Sequence, residues 1–213
     1  MVLLQRKVII LGAGNFAEEI LDVAKESGFH DIACFVEGID REQCGKEIAG
    51  IPIIWINELA KFDTSYSLIC GIGSPKRKNI IEQALQYKLE FINVIHPSAR
   101  ISSTVQMGKG LIISAGTIVA AGGSLGNHVL INRAVLIGHH VSIGDFVTVS
   151  PGANIGGSSS VGEGTYIGMG AIVLDHISIG RNVIVGAGAV VTKDVPDNVQ
   201  VMGIPARITK ELS

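Results

Sequence analysis

The sequence predicts an α/β half-domain followed by a parallel β-helix, and three observations support this fold class. From Ile101 to Val191 every sixth residue is aliphatic, without interruption. Glycines recur between those positions, a pattern typical of solenoid turns and of neither a 3.6-residue helix nor an alternating strand. Before Ile101, short apolar runs alternate with a helical pattern, as in a doubly wound α/β fold.

The N-terminal segment begins with an apolar run at residues 7–11, which predicts a buried strand. A glycine turn follows, and helical spacing over residues 16–24 places Phe16, Ile20 and Val23 on one face. Further strands are predicted at residues 32–36, 51–55, 67–71 and 91–95. After the strand at 67–71, a second helix carries Lys76, Arg77 and Lys78. The segment has room for four or five strands, about half of a full dinucleotide fold.

The repeat comprises fifteen complete hexads up to residue 190, or five coils if three hexads form one triangular turn. At the usual strand spacing of about 4.8 Å, the prism would be roughly 25 Å tall. Residues 201–208 predict a short closing strand with a turn that caps the last coil. The predicted inward positions are Ile101, Met107, Ile113, Val119, Leu125, Ile131, Ile137, Ile143, Val149, Ile155, Val161, Ile167, Val173, Ile179, Val185 and Val191.

Composition narrows the function classes. Of 213 residues, 47% are hydrophobic but only 5% are aromatic, as expected for a narrow aliphatic interior. The net charge is −2 with no basic block, so a nucleic-acid partner is not expected. No apolar run of 18 residues and no signal-peptide layout occur, so we expect no membrane insertion. Three cysteines, an odd number without metal spacing, favour a cytoplasmic protein.

Two short motifs flank the hexads: Ile95-His96-Pro97-Ser98-Ala99 before them and Gly203-Ile204-Pro205-Ala206 after them. With these motifs, the chain resembles the left-handed β-helix (hexapeptide-repeat) acyltransferases. The added α/β segment makes it similar to the sialic acid O-acetyltransferases and nucleotide-amino-sugar N-acetyltransferases (the NeuD/PglD-like family). The resemblance implies left-handed coiling, acetyl-CoA as co-substrate, no required metal, and a homotrimer with active sites between neighbouring prisms.

The resemblance also divides the chain into three parts. Residues 1–96 would form a Rossmann-like nucleotide-sugar-binding domain, and residues 97–195 the left-handed β-helix acetyltransferase domain. Residues 196–213 would form a C-terminal capping segment.

Two adjacent histidines, His139 and His140, occupy outward positions of one hexad. An imidazole can take the proton that an attacking amine or hydroxyl must lose, typically contributing about 10²–10⁴-fold. The resemblance implies that His139 is this general base. His140 stands where relatives carry an acidic residue that orients the base. Either Asp145 or a residue of the adjacent subunit could take that role, or the base would be less well oriented. Whether His140 substitutes for the acid is left open by the sequence.

The resemblance implies further contacts with the acetyl donor. The backbone amide of Gly157 matches the group that would stabilise negative charge on the thioester oxygen. Thr148 stands where related N-acetyltransferases carry a donor-contacting histidine, and its hydroxyl could still donate a hydrogen bond. Met169 and Ala187, one coil apart on one edge, are the remaining predicted cofactor-binding residues.

The segment Gly12-Ala13-Gly14-Asn15-Phe16-Ala17 is a G-x-G-x-x-A turn, and an acidic residue ends the second predicted strand. Alone, this pattern suggests a dinucleotide site of an NAD-dependent oxidoreductase, or simply a tight turn between strand and helix. No dehydrogenase-like substrate domain follows. The resemblance implies that the turn holds a nucleotide sugar instead, and Gly38 stands where close relatives have a second acid. The predicted substrate-binding residues are Gly14, Asn15, Phe16, Glu37, Gly73 and Ser74.

The predicted reaction transfers an acetyl group from acetyl-CoA to an amino group, or a hydroxyl, of a nucleotide-linked sugar. A 4-amino-4,6-dideoxy sugar for surface-glycan synthesis is favoured, with sialic acid O-acetylation as the alternative. Two alternatives belong to other classes. A metal-dependent β-helix enzyme would need an interface, because His140 and His176 lie two coils apart, about 10 Å. A non-catalytic structural β-helix would leave His139 without a role.

Overall fold

The computed structural model describes residues 7–212, except the side chain of Lys76. The chain divides into two compact units, the first ending at His96 and the second beginning at Pro97. Within the described residues, no helix combines the length and the apolar character that crossing a bilayer requires.

A mostly parallel sheet of six strands forms the centre of the first unit. Its strands lie in the order β3-β4-β2-β1-β5-β6, and only β3 is antiparallel to its neighbour β4. The sheet exceeds the four or five strands expected, because residues 47–48 add an edge strand too short to be predicted. The strands are β1 Lys7–Leu11, β2 Ile32–Glu37, β3 Glu47–Ile48, β4 Ile51–Trp55, β5 Tyr66–Cys70 and β6 Glu90–Phe91.

Two helices accompany this sheet, α1 Asn15–Glu26 and α2 Lys78–Leu85. Helix α1 buries the apolar face that includes Ile20 and Val23, as its periodicity predicts. The predicted second helix begins later than expected, because Pro75–Arg77 forms a 3₁₀ turn. The strand predicted at 91–95 is divided into β6 and β7, Val94–Ile95.

The second unit is a parallel β-helix whose strands recur every six residues. Each strand pairs in parallel with the strand eighteen residues away, as Leu136 pairs with Asn154. The predicted three-hexad coil is therefore confirmed. The strands are β8 Arg100–Ile101, β9 Gln106–Met107, β10 Ile112–Ile113, β11 Ile118–Val119, β12 Ser124–Leu125, β13 Leu130–Ile131, β14 Leu136–Ile137, β15 Ser142–Ile143, β16 Thr148–Val149, β17 Asn154–Ile155, β18 Ser160–Val161, β19 Tyr166–Ile167, β20 Ile172–Val173, β21 Ser178–Ile179, β22 Ile184–Val185 and β23 Val190–Val191.

These strands build three faces. The first face consists of β8, β11, β14, β17, β20 and β23, and the second of β9, β12, β15, β18 and β21. The third face contains β10, β13, β16, β19 and β22. Because successive strands belong to successive faces, each two-residue corner in the chain lies on one of three edges of the prism.

The interior follows the hexad pattern closely. Fourteen of the sixteen predicted inward side chains are at most 3% exposed. The exceptions are the half-buried Ile101 and Met107, which is 44% exposed. Both belong to the first coil, where β8 and β9 are the end strands of their faces. A side chain at the open end of a solenoid has a neighbouring coil on one side only.

At the other end, the closing segment is longer than predicted. Strands β24 Val199–Gly203 and β25 Ala206–Glu211 form an antiparallel hairpin. Strand β24 also pairs with β22, so the hairpin continues the third face. Two backbone-paired strands thereby protect one edge of the last coil, as expected for the cap of a solenoid.

Candidate active site

The histidine edge, where the first face turns into the second, carries both predicted catalytic histidines. His139 and His140 form the corner between β14 and β15, and both side chains are exposed. In the next coil, Gly157 and Ser158 occupy the same two places, and the amide of Ser158 donates to the carbonyl of His139 (2.8 Å). Two coils above the histidine pair, the corner contains Asp175 and His176.

The two imidazoles contact each other directly. Nδ1 of His139 lies 3.1 Å from Nδ1 of His140, a hydrogen-bonding distance. The rings are nearly perpendicular, with an interplanar angle of 79° and centroids 5.3 Å apart. His140 has a left-handed backbone, with φ +57°, a conformation that histidine tolerates better than most side chains. His139 and His140 therefore form a hydrogen-bonded pair.

Glycines above and below make room for this pair. A Cβ at Gly157 would lie 2.8 Å from both Cε1 and Nε2 of His139. A Cβ at Gly122, one coil below, would lie 2.8 Å from Nε2 of His140. Within residues 7–212, the backbone N–H of Gly157 donates a hydrogen bond to no acceptor. Gly157 therefore combines space for the His139 ring with a free backbone donor beside it.

Asp145 does not orient His139 within the chain. It lies on the carboxylate edge, where the second face turns into the third, one corner further along than the histidines. Its Oδ1 accepts a hydrogen bond from the backbone amide of Asn127 (2.7 Å). The suggestion that Asp145 replaces the family's acid is therefore wrong for the single chain, because six residues of a β-helix move a side chain to the next edge.

The other predicted donor-binding residues lie elsewhere on the prism. Met169 and Ala187 share the third edge, where the third face turns into the first, and the amide of Gly188 donates to the carbonyl of Met169. Met169 is 59% exposed, whereas Thr148 on the third face is only 1% exposed. The burial of Thr148 argues against the donor contact predicted for its side chain.

In the first unit, two of the predicted substrate turns lie together. Strand β1 is followed along the chain by β2 on one side and later by β5 on the other. The carboxyl end of β1 beside β5 is thus a topological switch point, where doubly wound sheets bind ligands. The turn containing Gly14–Phe16 follows β1, and the turn containing Gly73 and Ser74 follows β5.

Close backbone packing holds these turns together. Gly12 has φ +101°, and a Cβ there would lie 2.6 Å from Cγ1 of Ile72. A Cβ at Gly71 would lie 2.9 Å from Cα of Ala17. Gly12 and Gly71 are therefore the structural glycines of the site. A Cβ at Gly14 would meet no atom within 4 Å, so that position opens onto free space at the start of helix α1.

Glu37 has a structural role that the sequence did not indicate. Its Oε1 accepts hydrogen bonds from the backbone amides of Gly38 (2.9 Å), Ile39 (2.7 Å) and Asp40 (3.2 Å). These bonds shape the loop after β2. Gly38 packs on Ile80, since a Cβ there would lie 2.9 Å from its Cδ1. Only Oε2 of Glu37 remains outside this network for a substrate.

A buried cation close to this site was also missed. Arg77 is 2% exposed, and burial lowers the pKa of its guanidinium to about 10. Burial likewise raises the pKa of the Cys70 thiol to about 11. Arg77 follows the Gly73–Ser74 turn by three residues, and a polar run such as Lys76–Lys78 normally indicates an exposed helix face. Sequence periodicity alone contains no signal that this arginine is inside.

Metal ligation finds no support in the described residues. No group of three or more His, Cys, Asp or Glu side chains in residues 7–212 could hold an ion. His140 and His176 occupy equivalent corner places two coils apart, as their spacing predicts.

Comparisons with known proteins agree with this architecture. The profile of the PglD N-terminal domain matches residues 7–84, and that of the bacterial transferase hexapeptide (six repeats) matches residues 158–193. A mutant of perosamine N-acetyltransferase from Caulobacter crescentus, in complex with CoA and GDP-perosamine, is 30% identical with a TM-score of 0.89. That match covers 96% of this chain and 97% of the other.

Two further solved structures have similar scores. The acetyltransferase domain of PglB from Neisseria gonorrhoeae, in complex with acetyl coenzyme A, is 30% identical with a TM-score of 0.87, covering 96% of this chain and 99% of that one. WeeI from Acinetobacter baumannii is 26% identical with a TM-score of 0.87, covering 95% and 99%. Among curated proteins, no sequence matches the chain significantly.

The coils, the α/β unit and these matches define the class: an acyltransferase built on a left-handed parallel β-helix with a Rossmann-like N-terminal half-domain. Within that class, the chain belongs to the family of sialic acid O-acetyltransferases and nucleotide-amino-sugar N-acetyltransferases, the NeuD/PglD-like proteins. The resemblance of its sequence motifs to this family is thereby confirmed.

Proposed function

We propose that this protein transfers the acetyl group of acetyl-CoA to the amino group of a nucleotide-linked 4-amino-4,6-dideoxy sugar in surface-glycan synthesis. The observation that carries this proposal is the hydrogen-bonded pair of His139 and His140 beside Gly157. The pair supplies a proton acceptor, and the backbone amide of Gly157 supplies a hydrogen-bond donor next to it. The similarity to a perosamine N-acetyltransferase bound to CoA and GDP-perosamine supports the donor and the acceptor class.

In this proposal, His139 is the general base. Acetyl-CoA, when bound, supplies an activated thioester. Nε2 of His139 takes the proton that the sugar amine loses as it attacks the thioester carbon, which is general base catalysis. The C–S bond of the thioester then breaks, and CoA leaves as a thiolate that takes up this proton, so that the products are the acetylated amine and the CoA thiol. The amide of Gly157 donates a hydrogen bond to the oxygen on which negative charge develops. A fixed backbone donor needs no reorganisation when that charge appears.

The first unit supports the nucleotide-sugar part of the proposal. Gly14 and Asn15 lie at the N-terminus of the twelve-residue helix α1, where amides and the helix dipole favour phosphate. Gly73 and Ser74 border the same switch point, and the ring of Phe16 lies where a Cβ at Gly73 would touch it at 3.4 Å. We assign the diphosphate to these turns and a ribose hydroxyl to Oε2 of Glu37.

Assembly into a homotrimer completes the proposal. The first face has outward apolar side chains that remain exposed, with Ile118 at 41% and Leu136 and Ile172 at 42%. Such a face is typical of a surface that another subunit covers. Met169 and Ala187, at the border of this face, are the proposed donor contacts.

The cysteines at 34, 44 and 70 are free thiols, which supports a cytoplasmic location.

O-acetylation of sialic acid is the second candidate, because both reactions occur in this family. An assay of the full-length protein with acetyl-CoA separates them. We expect release of CoA thiol with UDP-, GDP- or dTDP-linked 4-amino sugars, and none with their 4-hydroxy counterparts or with sialic acid. Turnover with sialic acid alone would replace the proposal by the second candidate. Tight NAD binding without binding of any nucleotide sugar would overturn the assignment of the first unit.

A further inference from the structure

The contact between the two imidazoles constrains where their protons lie. A hydrogen bond between two Nδ1 atoms 3.1 Å apart requires that one nitrogen is protonated and the other is not. If His140 donates, Nδ1 of His139 is the acceptor, and its proton lies on Nε2. In that tautomer, Nε2 of His139 has no lone pair with which to take a proton.

The opposite arrangement produces a competent base. If Nδ1–H of His139 donates to Nδ1 of His140, the lone pair of His139 is on Nε2. That atom is on the side of the ring that contacts Gly157, where the free amide donor lies. The proton acceptor then lies beside the glycine whose backbone amide is the proposed oxyanion donor.

We propose that His140 is the positioning residue for His139 and that it replaces a carboxylate with a neutral imidazole acceptor. This inference rests on the proposed role of His139 as general base. Nδ1 of His140 accepts from Nδ1–H of His139, and the proton of His140 is on Nε2. When His139 takes the substrate proton on Nε2, its Nδ1–H remains bonded to His140, and no other group need change its proton.

The backbone fixes His140 in the position that this role requires. Its left-handed conformation is held by a hydrogen bond from its amide to the carbonyl of Ala121 (2.8 Å). Its ring extends down over Gly122, which offers no side chain in its way. The ring of His139 extends up over Gly157. The two rings therefore diverge from a shared Nδ1 contact, and each has a glycine to lie against.

A spectroscopic test reads the tautomers directly and without turnover. In the full-length protein with ¹⁵N-labelled histidine rings, at a pH where both rings are neutral, long-range ¹H–¹⁵N correlations distinguish Nδ1–H from Nε2–H. Assignment uses the variants His139→Ala and His140→Gly. We expect the Nδ1–H form for His139 and the Nε2–H form for His140. The reverse pair of tautomers would overturn the inference, whatever the activity.

Kinetics of backbone-matched variants provide the second test. Glycine and aspartate both tolerate a left-handed φ, so His140→Gly and His140→Asp preserve the corner. We expect His140→Gly to lower kcat by about 10–100-fold, by analogy with the loss of a hydrogen-bonding partner that orients a metal-bound histidine. KM for both substrates should change less than twofold. His140→Asp should recover kcat to within about threefold, because a carboxylate accepts the same bond.

His176→Gly is the matched control. His176 has the same backbone conformation, with φ +58°, in the equivalent corner two coils away. Its loss removes an imidazole from the same edge without touching His139, so kcat should not change. Equal losses in both variants, or no rescue by aspartate, would refute the positioning role. Full activity of His139→Ala would instead refute the proposed base, while the ring spectra would still report the hydrogen bond.

Discussion

The histidine edge and the carboxylate edge are built from the same two-residue corners, yet their side chains behave differently. On the carboxylate edge they bond to one another along the stack. Asp145 accepts from Asn127, the side chain of Asn127 accepts from the amide of Lys109 (3.1 Å), and His128 stacks on Phe146 with centroids 5.2 Å apart. On the histidine edge, the two histidines bond to each other within one corner and face glycines in the adjoining coils.

This difference separates stability from chemistry within one repeating scaffold. Where a side chain forms a hydrogen bond with the coil above or below, that bond stabilises the stack of coils. The polar group of the side chain is then not available to a ligand. Where glycines flank a side chain, its polar atoms remain exposed to a ligand. Residue type alone does not distinguish the two cases, since histidines occur on both edges.

The largest expected effect comes from removing the base. His139→Ala should lower kcat by about 10²–10⁴-fold, because no other group takes the proton at that place. The dissociation constant for CoA, measured by calorimetry, should stay the same. Unaltered turnover would remove His139 from the mechanism and the histidine edge from the active site.

A smaller but still large effect is expected for Gly157→Ala. The new methyl group would lie 2.8 Å from the His139 ring, so the ring must shift. Displacement of a reacting group by about 1 Å can cost 10²-fold in rate, and we expect a loss of kcat of about 10–100-fold. Ser158→Ala, one residue further along the same corner, is the control and should keep full activity. An unchanged kcat in Gly157→Ala would show that the ring position is not critical.

For the carboxylate edge, the expected effect is on stability. Asp145→Ala leaves the amide of Asn127 without its acceptor and should cost about 1–2 kcal/mol. At this chain length, that corresponds to a fall in Tm of roughly 2–8 °C by calorimetry. Turnover at 25 °C should not change. A lower kcat with an unchanged Tm would return Asp145 to the active site.

The smallest effect concerns the end of the same edge. Arg181 holds the Asp197 carboxylate through its backbone amide (2.8 Å) and its guanidinium (2.9 and 3.0 Å), which lowers the pKa of Asp197. A carboxylate whose pKa is lower in the folded state than in the unfolded state stabilises the protein at pH values above its unfolded-state pKa. This stabilisation is lost as the pH falls through the folded-state pKa. Wild type should therefore exceed Asp197→Asn slightly in Tm at pH 7, and the gap should close below about pH 4. A gap independent of pH would exclude this linkage.

Much of the fold could be predicted because a period of six determines which side chains point inward. The same arithmetic places Gly157 beside His139, eighteen residues on, and Asp145 on another edge, six residues on. It failed at the first coil, where Met107 is exposed because the stack ends there.

The remaining features depend on side-chain direction and on packing between distant segments. Neither the Nδ1–Nδ1 contact nor the burial of Thr148 follows from spacing. In the first unit, residues 47–48 were too few to show a strand pattern, and Arg77 lies inside despite its charged neighbours. Periodicity reports the backbone path, whereas the candidate site is defined by rotamers and close contacts.

The uninterrupted eighteen-residue register also restricts how such a chain can change in length. Adding or deleting one whole coil makes the prism taller or shorter and leaves every outward residue on its own edge. An insertion of six residues after His140 would rotate every later corner by one edge, so that Gly157 would leave the stack above His139. Outside residues 122–157, the β-helix can therefore gain or lose whole coils and keep every outward residue on its own edge, whereas a change of one hexad between His140 and Gly157 would dismantle the site.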